Sequence, residues 1–132
     1  LRAVATHLYG ELLRGGYTQV CEFHYLHHGP DGVPYANPLA MSLALAEAAS
    51  DTGIGLTLLP VLYQRAGFAQ SALRDDQRRF AGTAAMVRDL SHAVAGSGRA
   101  NVNTGVAVHS LRAAGKPAIE RVRPFLEAPI EH

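Results

Sequence analysis

Residues 54–61, Ile-Gly-Leu-Thr-Leu-Leu-Pro-Val, decide the fold of this chain, because they are apolar almost throughout. Such a run is typical of a parallel strand that is buried on both faces. Residues 17–23 and 102–108 contain many β-branched or aromatic side chains and are also predicted to be strands. The sequence therefore predicts about three parallel strands.

Helical patterns precede, separate and follow these strands. Four helices are predicted, over residues 1–14, 38 to about 50, 83 to about 94 and 116 to about 127. The pair Gly15-Gly16 would end the first helix, and Asn37 would cap the second, with Pro38 at its first position. Because strict alternation is typical of βαβ units, we predict an α/β fold, either an open sheet or part of a (β/α)8 barrel.

The composition is that of one globular domain. The chain has 132 residues, of which 48% are hydrophobic and 17% are charged, so neither a disordered chain nor a two-domain enzyme is expected. The formal net charge is +1 and the basic residues are scattered, which gives no reason to expect a nucleic acid or a membrane as partner. No stretch approaches the roughly 20 apolar residues of a membrane span.

The single cysteine, Cys21, lies in an apolar stretch and is expected to be a buried, reduced thiol. A reduced thiol favours a reducing compartment, so we predict a soluble, cytoplasmic protein. At the start of the chain, Leu1 is not a methionine and already lies in a helical pattern. We expect residues 1–132 to form a single incomplete domain of a larger protein.

Candidate functional residues follow the predicted strands, because ligands of parallel α/β proteins gather at the carboxyl ends of the strands. His109 and Arg112 follow the third strand. A guanidinium matches a carboxylate in two parallel hydrogen bonds, and an imidazole can donate to a carbonyl. Tyr25 follows the first strand and offers a ring with a phenolic donor. From the residues alone, a ligand site and a structural role, such as Arg112 pairing with a surface acid, are equally supported.

Three further histidines, His24, His27 and His28, lie within five residues of one another. A zinc site normally needs a closed set of three or four ligands, and this spacing matches no strong metal motif. A surface or hydrogen-bonding role is therefore favoured over metal ligation. The long connection of residues 63–81 is predicted to be functional or disordered, as loops of this length usually are.

Three motifs resemble the formimidoylglutamate deiminases of the amidohydrolase superfamily. They are Glu22-Phe-His-Tyr-Leu-His-His28, Gly53-Ile-Gly-Leu-Thr-Leu-Leu-Pro-Val-Leu-Tyr63 and His109-Ser-Leu-Arg-Ala113. Shorter matches are Pro30-Asp-Gly32, Tyr35-Ala-Asn-Pro38, Ala66-Gly-Phe68 and Gln77-Arg-Arg-Phe80. Each motif alone is weak, but the combination is specific, and it covers an inner third of such an enzyme.

The resemblance implies a metal-dependent (β/α)8 barrel that hydrolyses N-formimidoyl-L-glutamate to N-formyl-L-glutamate and ammonia in histidine degradation. This chain would supply barrel strands two, three and four. Zinc or another divalent metal would activate the attacking water. The family takes its metal ligands from strands one, five and eight, so the resemblance implies that the metal ligands and the catalytic residues lie outside this chain. It is compatible with a homodimeric parent enzyme.

The same resemblance assigns substrate contacts to Tyr25, His109 and Arg112, with a glutamyl carboxylate as the partner of Arg112. The partner is thus a small-molecule substrate, and the isolated chain is expected to be inactive. Two alternatives remain. One is another deaminase or hydrolase of the superfamily, and the other is a small non-catalytic α/β module that binds a carboxylate.

Overall fold

Helices and strands alternate along residues 1–126, which the computed structural model describes. In chain order they are α1 Arg2–Arg14, β1 Gln19–His24, α2 Ala40–Thr52, β2 Gly55–Leu62, a 3-10 helix Asp75–Phe80, α3 Ala84–Ala95, β3 Val102–Thr104, β4 Ala107–Val108 and α4 Lys116–Leu126. This order confirms the predicted α/β class. Among these residues, no helix combines the length and apolar composition needed to cross a bilayer.

Strand β2 lies at the centre of an all-parallel sheet. Strand β1 pairs with it along one edge, in a register that runs from Gln19 opposite Gly55 to His24 opposite Pro60. Strands β3 and β4 pair with its other edge, and both are parallel to it. The predicted arrangement of parallel strands separated by helices is therefore confirmed.

The third predicted strand, 102–108, is not continuous but is divided into β3 and β4. Both pieces keep one register with β2, since Leu58 lies opposite Thr104 and Leu62 lies opposite Val108. The backbone N–H and C=O groups of Leu56, Leu58 and Leu62 point towards these strands, and those of Pro60, in the same alternation, do too. Because proline has no N–H to donate, one bond of the ladder is missing beside the interruption.

The other predicted boundaries differ by one or two residues. Strand β1 covers 19–24 rather than 17–23, and β2 covers 55–62 rather than 54–61. Helix α2 begins at Ala40, two residues after the predicted start, while the Asn37 side chain accepts a hydrogen bond from the Leu39 amide at 2.9 Å in the preceding turn. The predicted end of the last helix, Glu127, lies outside the described residues.

The core lies between the sheet and the helices, in two clusters. The first, under α1 and α2, includes Tyr9, Leu45, Leu56 and Leu58. The Tyr9 hydroxyl donates to the Glu22 carboxylate at 2.7 Å, so the polar end of this buried ring is satisfied. The second cluster, under α3 and α4, consists of Leu62, Ala84, Val87, Val106, Ala114, Ala118 and Val122.

The two faces of β1 differ in exposure. Gln19, Cys21 and Phe23 lie on one face of β1 and are exposed, whereas their neighbours Val20 and Glu22 are half-buried. The expectation of a buried Cys21 is therefore wrong. Side chains of a strand alternate between its two faces, and only one face of β1 packs against helices.

The fold yields a stability prediction at Leu58, whose side chain is fully buried in the first cluster. We expect Leu58→Ala to lower the free energy of unfolding by about 3 kcal/mol, because it removes buried apolar area and leaves a cavity. Leu111, which is 71% exposed, provides a matched control, and Leu111→Ala should change stability by less than about 0.5 kcal/mol. Urea unfolding of both variants measures this difference, and equal losses would contradict the placement of Leu58.

Candidate functional site

The segments that follow β1, β2 and β4 meet at the end of the sheet where the strands have their carboxyl ends. The Tyr25 ring lies 5.8 Å from the His109 ring, and the Tyr63 ring lies 4.3 Å from it, both measured between centroids and both in edge-on contact. Parallel pairing produces this meeting, because the ends of neighbouring strands reach the same edge. The structure thus places two of the three residues proposed from the sequence, Tyr25 and His109, in direct ring contact.

An aromatic cluster surrounds His109, and part of it was not predicted. Its members are Phe23, Tyr25, Tyr63, Phe80 and His109, each with its ring centroid within 6.2 Å of another member. The connection 63–81 supplies Tyr63 and Phe80, so this long segment contributes to the site. Two sequence signals could have identified Tyr63, which directly follows a buried strand and ends the second motif of the resemblance.

The Tyr63 ring is held in place from outside the cluster. Its hydroxyl accepts a hydrogen bond from the Gln77 side-chain amide at 3.0 Å, and both side chains are buried. Gln77 belongs to the 3-10 helix, and its side-chain oxygen accepts from the Arg74 backbone amide at 3.2 Å. The connection therefore fixes the ring that packs against His109.

His109 is suited to act as a neutral hydrogen-bonding group. Burial, and then the nearby positive charge of Arg112, hold the pKa of His109 below its ordinary value. Its Nδ1 lies 3.3 Å from the Ser110 hydroxyl. A neutral imidazole has one donor and one acceptor nitrogen, so His109 can donate to a carbonyl or an imine.

Arg112 extends from the turn of residues 110–114, which directly follows β4. Its side chain is exposed, and it forms no ion pair within the part of the chain that the structure describes. The alternative of a surface acid as its partner therefore finds no support among these residues. A guanidinium without a carboxylate partner can bind an external carboxylate through its planar fork.

The three histidines at the end of β1 and just after it contact other parts of the chain. His24 and His27 are buried, with their rings in edge-on contact at 5.5 Å. His27 Nε2 lies 3.1 Å from the Val61 carbonyl, and the backbone amides of His27 and His28 donate to the Arg79 carbonyl. Within residues 1–126, no group of three His, Cys, Asp or Glu side chains could hold a metal ion, so the metal implied by the resemblance does not fit the described residues.

Comparison with known proteins supports the resemblance seen in the motifs. No protein-family model matches the chain. Over 114 residues the chain is 47% identical to the formimidoylglutamate deiminase of Pseudomonas aeruginosa, a match that covers 86% of this chain and 25% of that protein. The chain thus spans about a quarter of the length of this curated relative.

Two solved structures share the fold. An amidohydrolase from Brucella melitensis matches with a TM-score of 0.88 and 42% identity, over 95% of this chain and 28% of that one. A triazine hydrolase from Arthobacter aurescens matches with a TM-score of 0.71 over 93% of this chain and 26% of that one. Its 20% identity supports the fold alone. The predicted partial (β/α)8 barrel is confirmed. The resemblance to formimidoylglutamate deiminases that the motifs indicated is also confirmed.

The buried histidines give a prediction about pH. Burial, and then the charge of His27, lower the pKa of His24 to about 4. Between pH 6.5 and 4 the unfolded chain binds a proton at this position that the folded chain does not, so stability should fall as the pH falls through this window. The loss attributable to His24 should approach about 3 kcal/mol at pH 4.

Urea unfolding at pH 7, 5.5 and 4.5 measures this dependence. His24→Gln should reduce the pH dependence, and the part that remains belongs to the buried His27, whose pKa burial also lowers. Replacement of the exposed His7 of α1 by Gln should leave the pH dependence as it is in the parent chain. Equal slopes for the parent chain and His24→Gln would exclude His24 as the source.

Proposed function

We propose that this chain, which is similar over most of its length to a quarter of a formimidoylglutamate deiminase, is the substrate-holding segment of a metal-dependent amidohydrolase barrel. The proposed reaction is the hydrolysis of N-formimidoyl-L-glutamate. Water adds to the formimidoyl carbon, the C=NH group becomes C=O, and N-formyl-L-glutamate and ammonia leave. The observation that carries the proposal is the exposed Arg112 guanidinium beside a half-buried His109 at the carboxyl edge of the sheet.

Each candidate residue has a role in this reaction that follows from its surroundings. Arg112 would bind a carboxylate of the glutamyl part, because its side chain is exposed and carries a bidentate fork. His109 would donate a hydrogen bond to a neutral part of the substrate, since its lowered pKa keeps the ring uncharged at pH 7. Tyr25, whose ring lies edge-on to those of His109 and Phe80, would line one wall of the pocket.

A divalent metal, zinc by resemblance, would supply an activated water in such an enzyme. The described residues do not form its site. The contribution of this segment is therefore binding and orientation, which accelerate a reaction by holding the substrate in a reactive geometry. We further propose a cytoplasmic enzyme of histidine degradation with this small molecule as its substrate.

The proposal predicts the effect of removing the Arg112 charge. In the full-length polypeptide that carries this segment, Arg112→Gln should raise KM for N-formimidoyl-L-glutamate about 10- to 100-fold, because a charge-assisted bidentate contact is lost. Ammonia release at a series of substrate concentrations measures KM and kcat.

Arg14 provides the matched control, because it is an exposed arginine at the end of α1, at the opposite end of the sheet. Arg14→Gln should leave KM unchanged. An unchanged KM for Arg112→Gln would remove Arg112 from the substrate site. If Arg112→Gln kept the parent kcat but no longer preferred substrates with a carboxylate, another deaminase of the superfamily would be favoured.

A second prediction concerns the 132-residue chain purified by itself. It should release no ammonia from N-formimidoyl-L-glutamate when zinc is added, because the described residues provide no metal site. Measurable, metal-dependent ammonia release would contradict this. If a calorimetric titration of the same chain with L-glutamate gave saturable binding without turnover, a carboxylate-binding module would be favoured.

A further inference from the structure

Arg65 lies three residues after β2 and uses its guanidinium to bind the turn of residues 110–114. Its Nε donates to the Arg112 carbonyl at 2.9 Å. One terminal nitrogen donates to the Leu111 carbonyl at 3.0 Å and to the Ala114 carbonyl at 3.2 Å. A single side chain therefore holds three carbonyls of the turn that carries Arg112.

The backbone beside Arg65 binds the fourth carbonyl. The amides of Gln64 and Arg65 both donate to the Ala113 carbonyl, at 2.8 and 3.1 Å. Four consecutive carbonyls, those of residues 111–114, are thus bound by two adjacent residues of the segment after β2. This segment fixes the orientation of the turn relative to β2.

The opposite side of the turn is closed by its own first residue. The Ala113 amide donates to the Ser110 carbonyl at 3.0 Å and to the Ser110 hydroxyl at 3.1 Å, and the Ala114 amide donates to the same carbonyl at 3.2 Å. The carbonyls of residues 111–114 and the amides of Ala113 and Ala114 are thus bound, which fixes the backbone of the turn on both sides of Arg112. The Cα–Cβ direction of Arg112 is then set by the backbone.

Among residues 1–126, Arg65 has no acidic partner. Its guanidinium also contacts the face of the Phe68 ring, 5.9 Å from the guanidinium carbon. Two positive charges, those of Arg65 and Arg112, therefore belong to one turn. Their field favours an anion there over a neutral ligand.

We propose that Arg65 is a positioning residue for the substrate carboxylate, acting through the turn from which Arg112 extends. This inference rests on the proposed function, since it assigns Arg65 to the binding step of the same reaction. A lysine cannot replace it, because a single ammonium lacks the planar fork that reaches three carbonyls at once. Charge alone is therefore insufficient, and Arg65→Lys is the informative substitution.

The experiment is a double-mutant cycle in the full-length polypeptide, with N-formimidoyl-L-glutamate as substrate and ammonia release as the readout. Arg65→Lys should raise KM about tenfold and change kcat by less than about twofold, because binding is weakened while the reacting atoms are untouched. In a chain that already carries Arg112→Gln, the same substitution should leave KM unchanged. An effect that disappears in this background is one that acts through Arg112.

The matched control is Arg14→Lys, an arginine-to-lysine change at an exposed position at the end of α1, where the side chain pairs with Glu11. It should leave KM and kcat at the values of the parent protein. KM does not depend on the fraction of enzyme that is folded, so the readout holds even if Arg65→Lys destabilises the protein. Arg65→Gln, which retains two donors on one amide nitrogen, provides a second variant and should also raise KM.

The outcomes separate the two proposals. An active parent protein in which Arg65→Lys lowers kcat at constant KM, or raises KM equally with and without Arg112, would overturn the Arg65 proposal alone. A parent protein that releases no ammonia from this substrate, or whose KM is unaffected by Arg112→Gln, would overturn both.

Discussion

The burial of Leu56, Leu58 and Leu62 against the helices holds β2 in one register with its neighbours. A shift of one residue would turn these leucines to the exposed face, so the register is strongly specified. The register in turn sets where each neighbouring strand ends. Tyr25, Tyr63 and His109 each come directly after a strand, and their rings meet because those strands end at one edge.

The sequence predicted those parts of the fold that depend on local pattern. The apolar run of β2 and the helical pattern of α3 could be recognised without knowledge of any neighbour. The break between β3 and β4 could not be recognised from the sequence, because it depends on which strand pairs beside Pro60 of β2. Cys21 was misplaced for a similar reason, since an apolar stretch does not indicate which of its faces will be covered.

The candidate site was predicted only in part. His109 and Arg112 follow a strand and belong to a motif, so sequence reasoning could select them, and their role in binding stays a prediction. Arg65 and Gln77 lie in a connection without periodicity, and their importance comes from hydrogen bonds to distant residues. The histidines show the same limit, because His27 is buried with its ring against the Val61 carbonyl, whereas His109 lies in the aromatic cluster, a difference that residue type does not encode.

The exposed thiol of Cys21 gives the uncovered face of β1 a chemical marker. It is the one cysteine in the sequence, so a thiol-specific label attached to this chain would be confined to one known point on that face. Labelling rates follow the accessibility of a thiol as well as its ionisation. The labelling rate of Cys21 would thus report whether other polypeptide covers this face of the sheet. Slow labelling would indicate a closed barrel, and fast labelling would indicate an open one.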